Sequence, residues 1–179
     1  MRQNRKDSRK RMESSIHIQI HKAFKSGDYS ALKKLAGDTS GFPDCHLSEA
    51  FGHCLEYAIY HSPKSFIKEQ LEKGSNPNYG DHAGFPAVIA ALSSERKDVK
   101  EVIERLLEFG ADINQKGIND WTPLHWAAAN DNVEMIRFLL EKGANPGIRT
   151  GIDDYATPLE EAEILGCTKA VAFLKKVLD

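Results

Sequence analysis

The sequence predicts an all-α solenoid of about five helix–turn–helix units joined by short β-finger loops. Two observations carry that prediction. Residues 121–146 hold two apolar stripes at helical period with a turn between them. The glycine that closes the second stripe, Gly143, recurs at Gly110 and Gly74, at spacings of 33 and 36 residues.

The stretch from Trp121 to Pro146, WTPLHWAAANDNVEMIRFLLEKGANP, serves as the template. Thr122 is placed to cap free N–H groups, and Pro123 takes the first helical position, where its missing donor costs nothing. Leu124, Ala127 and Ala128 follow at helical spacing, and the two alanines let a neighbouring backbone approach closely. Asn130-Asp131-Asn132 ends this first helix, because short amide and acid side chains favour turns. Val133, Ile136, Leu139 and Leu140 form the buried stripe of a second helix. Gly143 closes it as a left-handed C-cap, and Asn145-Pro146 turns the chain onward.

Copies of this template lie on both sides. Nearest the start, Ala23 to Leu35 resembles half a unit. Next, Cys54-Leu55-Glu56-Tyr57-Ala58 stands where PLHWA stands in the template, and the ending runs from Glu69 through Gly74 to Asn78. The third copy opens at Phe85-Pro86 without the Thr and the His, carries a turn lengthened by four residues between Ser93 and Val99, and ends as LLEFGADIN. The last opens at Thr157-Pro158-Leu159 and is closed by Val171, Phe173, Leu174 and Val177 with no terminal glycine. The expected units are residues 14–47, 48–83, 84–119, 120–152 and 153–179, after a disordered basic tail at 1–13. A single unit cannot bury its apolar stripe, so neighbours must stack and atypical end copies must seal the row. Lys33, Lys34, Lys175 and Lys176 beside the outward stripes suit that sealing role.

The ordered string TPLH…AA…LL..GA is similar to the ankyrin repeat. The resemblance implies a non-enzymatic protein–protein interaction module, acting as a scaffold, adaptor or inhibitor through its finger loops and the concave surface of its first helices. The fingers then fall at Asn78 to Gly84, Asn114 to Trp121 and Gly147 to Ala156. Their tips offer Tyr79, Asp81 and His82; Ile118, Asn119 and Trp121; and Asp153, Asp154 and Tyr155. The helix positions after the small-residue pair are Tyr60, Leu92, Ala129 and Ile164. Trp121, just before the TPLH motif, is the leading candidate contact, while Trp126 suits packing between units. The resemblance gives His125 a structural role, bonded to the Thr of its own motif and to the backbone of an adjacent loop. A narrower alternative is an immunity or antitoxin-type inhibitor that sets an acidic face against a basic enzyme.

Composition and charge bound the remaining readings. No apolar run approaches the roughly 20 residues that span a bilayer. The basic start leads into Met12-Glu13-Ser14-Ser15 and not into a long apolar core, so no secretory signal is expected. Three cysteines, Cys45, Cys54 and Cys167, without metal-type spacing suit a reducing compartment, and a cytoplasmic monomer is expected. Residues 1–11 carry Arg2, Arg5, Lys6, Arg9, Lys10 and Arg11 against Asp7, which leaves −7 on the remainder of a chain whose total is −2. The tail reads as a solvated segment, as a contact for nucleic acid or an acidic partner, or as a targeting address.

Several clusters imitate chemistry. His17 and His21 share one helix face at i, i+4, but lack the Glu and third ligand of a zinc motif. Cys45-His46 and His53-Cys54 imitate a ligand or thiol–imidazole cluster, although Cys54 stands where the repeat places an inward residue. A metal- or thiol-dependent hydrolase built on these groups is the third reading. Asp153-Asp154 imitates a carboxylate pair but reads better as a solvated turn. No phosphate-binding, dinucleotide or hydrolase-elbow motif occurs, so no catalytic residue, cofactor or metal is expected.

Overall fold

The computed structural model describes residues 15–37, 41–46, 51–79, 85–151 and 155–178. The basic tail at 1–13 and the tip residues Asp81, His82, Asp153 and Asp154 lie outside them. The architecture is all-α, and the helices come in successive pairs. They are α1 (15–26) and α2 (Tyr29–Ala36), α3 (Cys54–His61) and α4 (Lys64–Glu72), α5 (Ala87–Ser93) and α6 (Val99–Glu108), α7 (Pro123–Ala129) and α8 (Val133–Glu141), α9 (Pro158–Ile164) and α10 (Thr168–Leu178). The chain divides into two compact units, residues 1–76 and 77–179.

In the first unit, Phe24 of α1 is fully buried and packs on Tyr57 of α3 and Phe66 of α4, with ring centroids 4.8 and 6.0 Å apart. Leu32, Leu55, Ile59 and Ile67 complete this core. In the second unit, α7 packs between α5 and α9, and α8 against α10. Ile103, Leu106, Leu124, Ile136, Leu139 and Leu174 have no measurable exposure there. Of the template stripe Ile136 and Leu139 are core, Val133 and Leu140 are half-buried, and Met135 and Phe138 are buried beside them.

Each of the middle second helices ends by the same device. Gly74, Gly110 and Gly143 have φ of 101°, 87° and 93°. The amides that follow them, at Ser75, Ala111 and Ala144, donate back to Gln70, Leu106 and Leu139 at 3.0, 2.9 and 2.9 Å. This bond satisfies a carbonyl the helix end leaves open, and glycine is the residue that reaches this φ without strain. A Cβ at any of the three would meet nothing within 4 Å, so the requirement is conformational and not steric.

Side-chain bonds repeat along the chain at nearly the same interval. Asp44 Oδ1 accepts from the Asn76 amide at 2.8 Å, Asn78 Oδ1 from Asp112 at 2.6 Å, and Asn114 Oδ1 from Asn145 at 2.8 Å. Each bond fixes one loop to the loop of the following helix pair. At the last pair, Glu163 and Lys175 occupy the places of Ala128 and Leu140 and form a 2.7 Å ion pair. Both are charged where the template is apolar, which suits a face that ends the packing.

Two expectations change. Leu92 is buried (6% exposed), so it belongs to the core and not to a binding face. The finger loops contain no strand among the described residues: a single backbone bond closes each of the two traced ones, Gly117 N–H to Trp121 O at 2.8 Å and Thr150 N–H to Ala156 O at 2.9 Å.

Candidate functional site

The candidate surface lies in the second unit, on the loops around Ile118 and Tyr155. Its base is His125, which is fully buried. The Thr122 amide donates to His125 Nδ1 at 3.2 Å, and the Thr122 hydroxyl lies 2.8 Å from the same nitrogen. With Nδ1 accepting, Nε2 carries the proton and donates to the Ala156 carbonyl at 3.1 Å. Burial holds the imidazole below its ordinary pKa of 6.5, and the neutral form is the one these bonds need. His125 thus caps α7 through a reciprocal capping box with Thr122 and pins the following finger at Ala156. Both ring nitrogens are engaged, so the residue positions the loop and offers no base.

Glu160 takes the place of His125 in the last pair. It accepts from the Thr157 amide at 2.7 Å and from Arg149 at 2.7 and 3.1 Å. The Thr157 amide, and then the Arg149 guanidinium, hold its carboxyl down to about 2. Arg149 also donates to the Tyr155 carbonyl at 2.8 Å, and its guanidinium lies 5.7 Å from the centre of the Tyr155 ring. The ring is therefore held at the base of the loop while remaining 64% exposed.

The finger before α7 narrows to a single 3₁₀ turn over Ile118–Asp120. Asn119 and Asp120 both have φ of 58°, which tightens the turn and leaves Ile118 56% exposed. Asn119 is exposed, and Trp121 and Ala129 are half-buried. The Asp120 carboxylate lies against Gly151, where a Cβ would stand 2.0 Å from Oδ2. This close approach brings the two fingers side by side. Ile118, Trp121 and Tyr155 thus occur on adjacent loops of a fixed base.

Other expected residues fall elsewhere. Tyr79 is buried at 6% exposure, and its hydroxyl donates to the Phe85 carbonyl at 2.7 Å. It braces its loop and presents little surface. Tyr60 is half-buried and Ile164 is 55% exposed. Ala129 offers its carbonyl to the Cys167 thiol at 3.3 Å.

The cluster around Cys45 and Cys54 also resolves into structure. Both thiols are buried, 3.7 Å apart, and burial pushes both pKa values up, that of Cys54 furthest. His53 is the N-cap of α3: its Nδ1 accepts from the Leu55 amide at 3.3 Å, and its Nε2 faces Asp44 at 3.2 Å. His21 Nδ1 is bonded to the Tyr57 hydroxyl at 2.7 Å, and the His17 ring stands edge-on to Phe51. Among the described residues, no three His, Cys, Asp or Glu side chains converge as metal ligands, and no helix is long and apolar enough to cross a membrane. His53 as a cap, and the Asn78 and Asn114 bonds between loops, were the signals that the sequence reading missed.

The model of the ankyrin family, described as three copies of the repeat, matches residues 55–150 and 99–177. The chain belongs to the ankyrin repeat family. It is 28% identical over 120 residues to alpha-latrocrustotoxin-Lt1a of Latrodectus tredecimguttatus, covering 67% of this chain and 8% of the toxin. It is 29% identical over 135 residues to human SH3 and multiple ankyrin repeat domains protein 2, covering 75% and 7%. It is 38% identical over 94 residues to palmitoyltransferase Hip14 of Drosophila melanogaster, covering 52% and 14%. The chain thus spans a small fraction of the length of these relatives. Ankyrin repeats are in general protein–protein interaction modules.

Proposed function

We propose that this chain is a non-enzymatic recognition protein that binds a partner protein through the two adjacent fingers of its second unit. The observation that carries this reading is the pairing of Ile118 and Tyr155, each more than half exposed, on loops held from below by His125 and Arg149. Large apolar and aromatic side chains presented on a preformed base bury much area for little lost freedom. A partner would cover roughly 800 Å² on each side. Ile118, Asn119, Trp121, Ala129 and Tyr155 are the contacts we assign; Asp153 and Asp154 belong by sequence to the finger of Tyr155, and Asp81 and His82 to the preceding finger at 78–84. We place these within an ankyrin domain spanning residues 14–179 and working as a monomer scaffold, adaptor or inhibitor in the cytoplasm.

Trp121→Ala tests the assignment. It should weaken binding of a partner captured from the native host by about 2 kcal/mol, measured by calorimetry, with little change in melting temperature. A lower melting temperature with unchanged affinity would show instead that the ring is part of the core.

A further inference from the structure

A second surface lies on the first unit, on the side of α1 turned away from its core. Ile20, Ala23 and Phe24 are the buried residues of α1, and Phe24 faces α3 and α4. On the other side, α1 and α2 enclose an open groove of about 830 Å³. Ala31 and Leu35, both half-buried, supply its apolar surface with the nearly buried Ala23 at the bottom, Lys22 and Lys25 stand on the α1 bank, and Lys34 stands on the α2 bank. All three lysines are exposed, and none has an ion-pair partner among the described residues. Asp28, the acid at the groove, is committed to capping α2 through the Ala31 amide at 2.9 Å. Three ammonium groups, on both banks, and the single Asp28 carboxylate therefore line the apolar trough, a local charge of +2.

We infer that this groove docks an acidic amphipathic helix of a partner protein. An apolar ridge would lie on Ala23, Ala31 and Leu35, with carboxylates on one flank facing Lys22 and Lys25 and on the other facing Lys34. A helix laid in a groove presents anchors at i, i+3, i+4 and i+7, which is the pattern such a trough accepts. The wider charge distribution acts in the same sense. Among the described residues 15–37, Lys22, Lys25, Lys33 and Lys34 stand against Asp28 alone, whereas the whole chain is −2, so the field of these two helices attracts acidic partners. An apolar floor contributes nothing to a phosphodiester backbone, which favours a peptide over nucleic acid. The groove belongs to the first unit and the fingers to the second, and the inference stands or falls without them.

The test uses the full chain and a fluorescein-labelled helical peptide of about 16 residues, with a leucine ridge flanked by glutamates. Its control replaces every glutamate with lysine. Fluorescence anisotropy should show saturable, salt-sensitive binding of the acidic peptide and none of the basic one. Lys22→Glu, Lys25→Glu and Lys34→Glu together should weaken it by roughly tenfold or more. Ala31→Trp, which fills the floor and leaves the charge unchanged, should weaken it comparably, while Trp121→Ala leaves it unaltered. If the triple reversal lowers the melting temperature, the three Lys→Gln changes replace it and should act in the same direction. No saturable binding, or binding indifferent to Ala31→Trp, would overturn the inference, the latter pointing to unspecific charge attraction. Tighter binding to phosphatidylserine vesicles or duplex DNA than to the peptide, lost in the same variants, would overturn it in favour of an anionic surface.

Discussion

Helices α4 to α6 and helices α7 to α10 show two ways of starting a helix in one repeat fold. The later four each have a side-chain acceptor at the N-terminus. Thr122, Asn132 and Thr157 cap α7, α8 and α9, and Asp131 reaches from the preceding helix pair to the Ala170 amide of α10 at 2.7 Å. The earlier three have no such bond: α4 and α5 begin behind Pro63 and Pro86, and α6 behind an Asp98 whose carboxylate is held by Arg96. A cap contributes about 1 kcal/mol, so α7, α8 and α9 are defined by their own local sequence, and α10 by the preceding pair. The earlier ones are defined by burial. In α5 all six residues from Ala87 to Leu92 are buried, and packing sets where the helix lies. The comparison teaches that in α5 the loss of Thr-Pro-Leu-His leaves the helix in place, with burial standing where the local bonds were, whereas α3 replaces the motif by the His53 cap.

Substitutions can break this contrast, and the largest effect is expected at His125. His125→Ala removes a buried cap and leaves the Ala156 carbonyl without its partner, which should cost about 3 kcal/mol in urea denaturation. His53→Ala in α3 removes a weaker cap, bonded at 3.3 Å, and should cost about 1 kcal/mol. Equal losses at the two sites would contradict the ranking. A smaller effect is expected where loops are tied together. Asn114→Ala removes the acceptor for the exposed Asn145 amide and should cost about 1 kcal/mol or less, while Asn114→Asp retains the acceptor and should restore most of it.

The smallest effect is a pH dependence. Burial depresses the pKa of His125, and at the more exposed His61 partial desolvation, then the nearby His21 and Lys25, act in the same direction. The folded state therefore favours neutral imidazoles, and the unfolded chain takes up protons first as pH falls past 6.5. The stability these histidines contribute is complete above that pH and declines below it until the folded forms also protonate. Denaturation midpoints between about pH 7.5 and about pH 5.5 should show this decline, with a shallower slope in His125→Ala. An identical slope would assign the pH dependence to other groups.

Much of this architecture was legible from residues that carry their own geometry. Gly74, Gly110 and Gly143 mark helix ends because positive φ is a local demand, and Thr122-Pro123 and Thr157-Pro158 mark helix starts for the same reason. What depended on distant partners was not legible. Tyr79 reads as a loop-tip aromatic, but the Phe85 carbonyl draws its hydroxyl inward. His53 imitates a ligand beside Cys54, and its role as a cap emerges only when Asp44 and the Leu55 amide engage its two ring nitrogens. The bonds of Asn78 and Asn114 reach 31 to 34 residues along the chain, beyond any local pattern. Of the fingers, position along the chain was readable, while exposure at Ile118 and Tyr155 required the turn and the Arg149 bonds.

Hydrogen exchange read by mass spectrometry tests the central claim most directly, because it measures opening segment by segment. Amides of α7 to α9 should be the slowest to exchange, and those before residue 84 should exchange measurably faster than those after 120. His125→Ala should erase much of that difference by accelerating α7 and α9. Uniform protection along the chain, or faster exchange in α7 than in α4 and α5, would show that the capping motif does not determine where the repeats are firm.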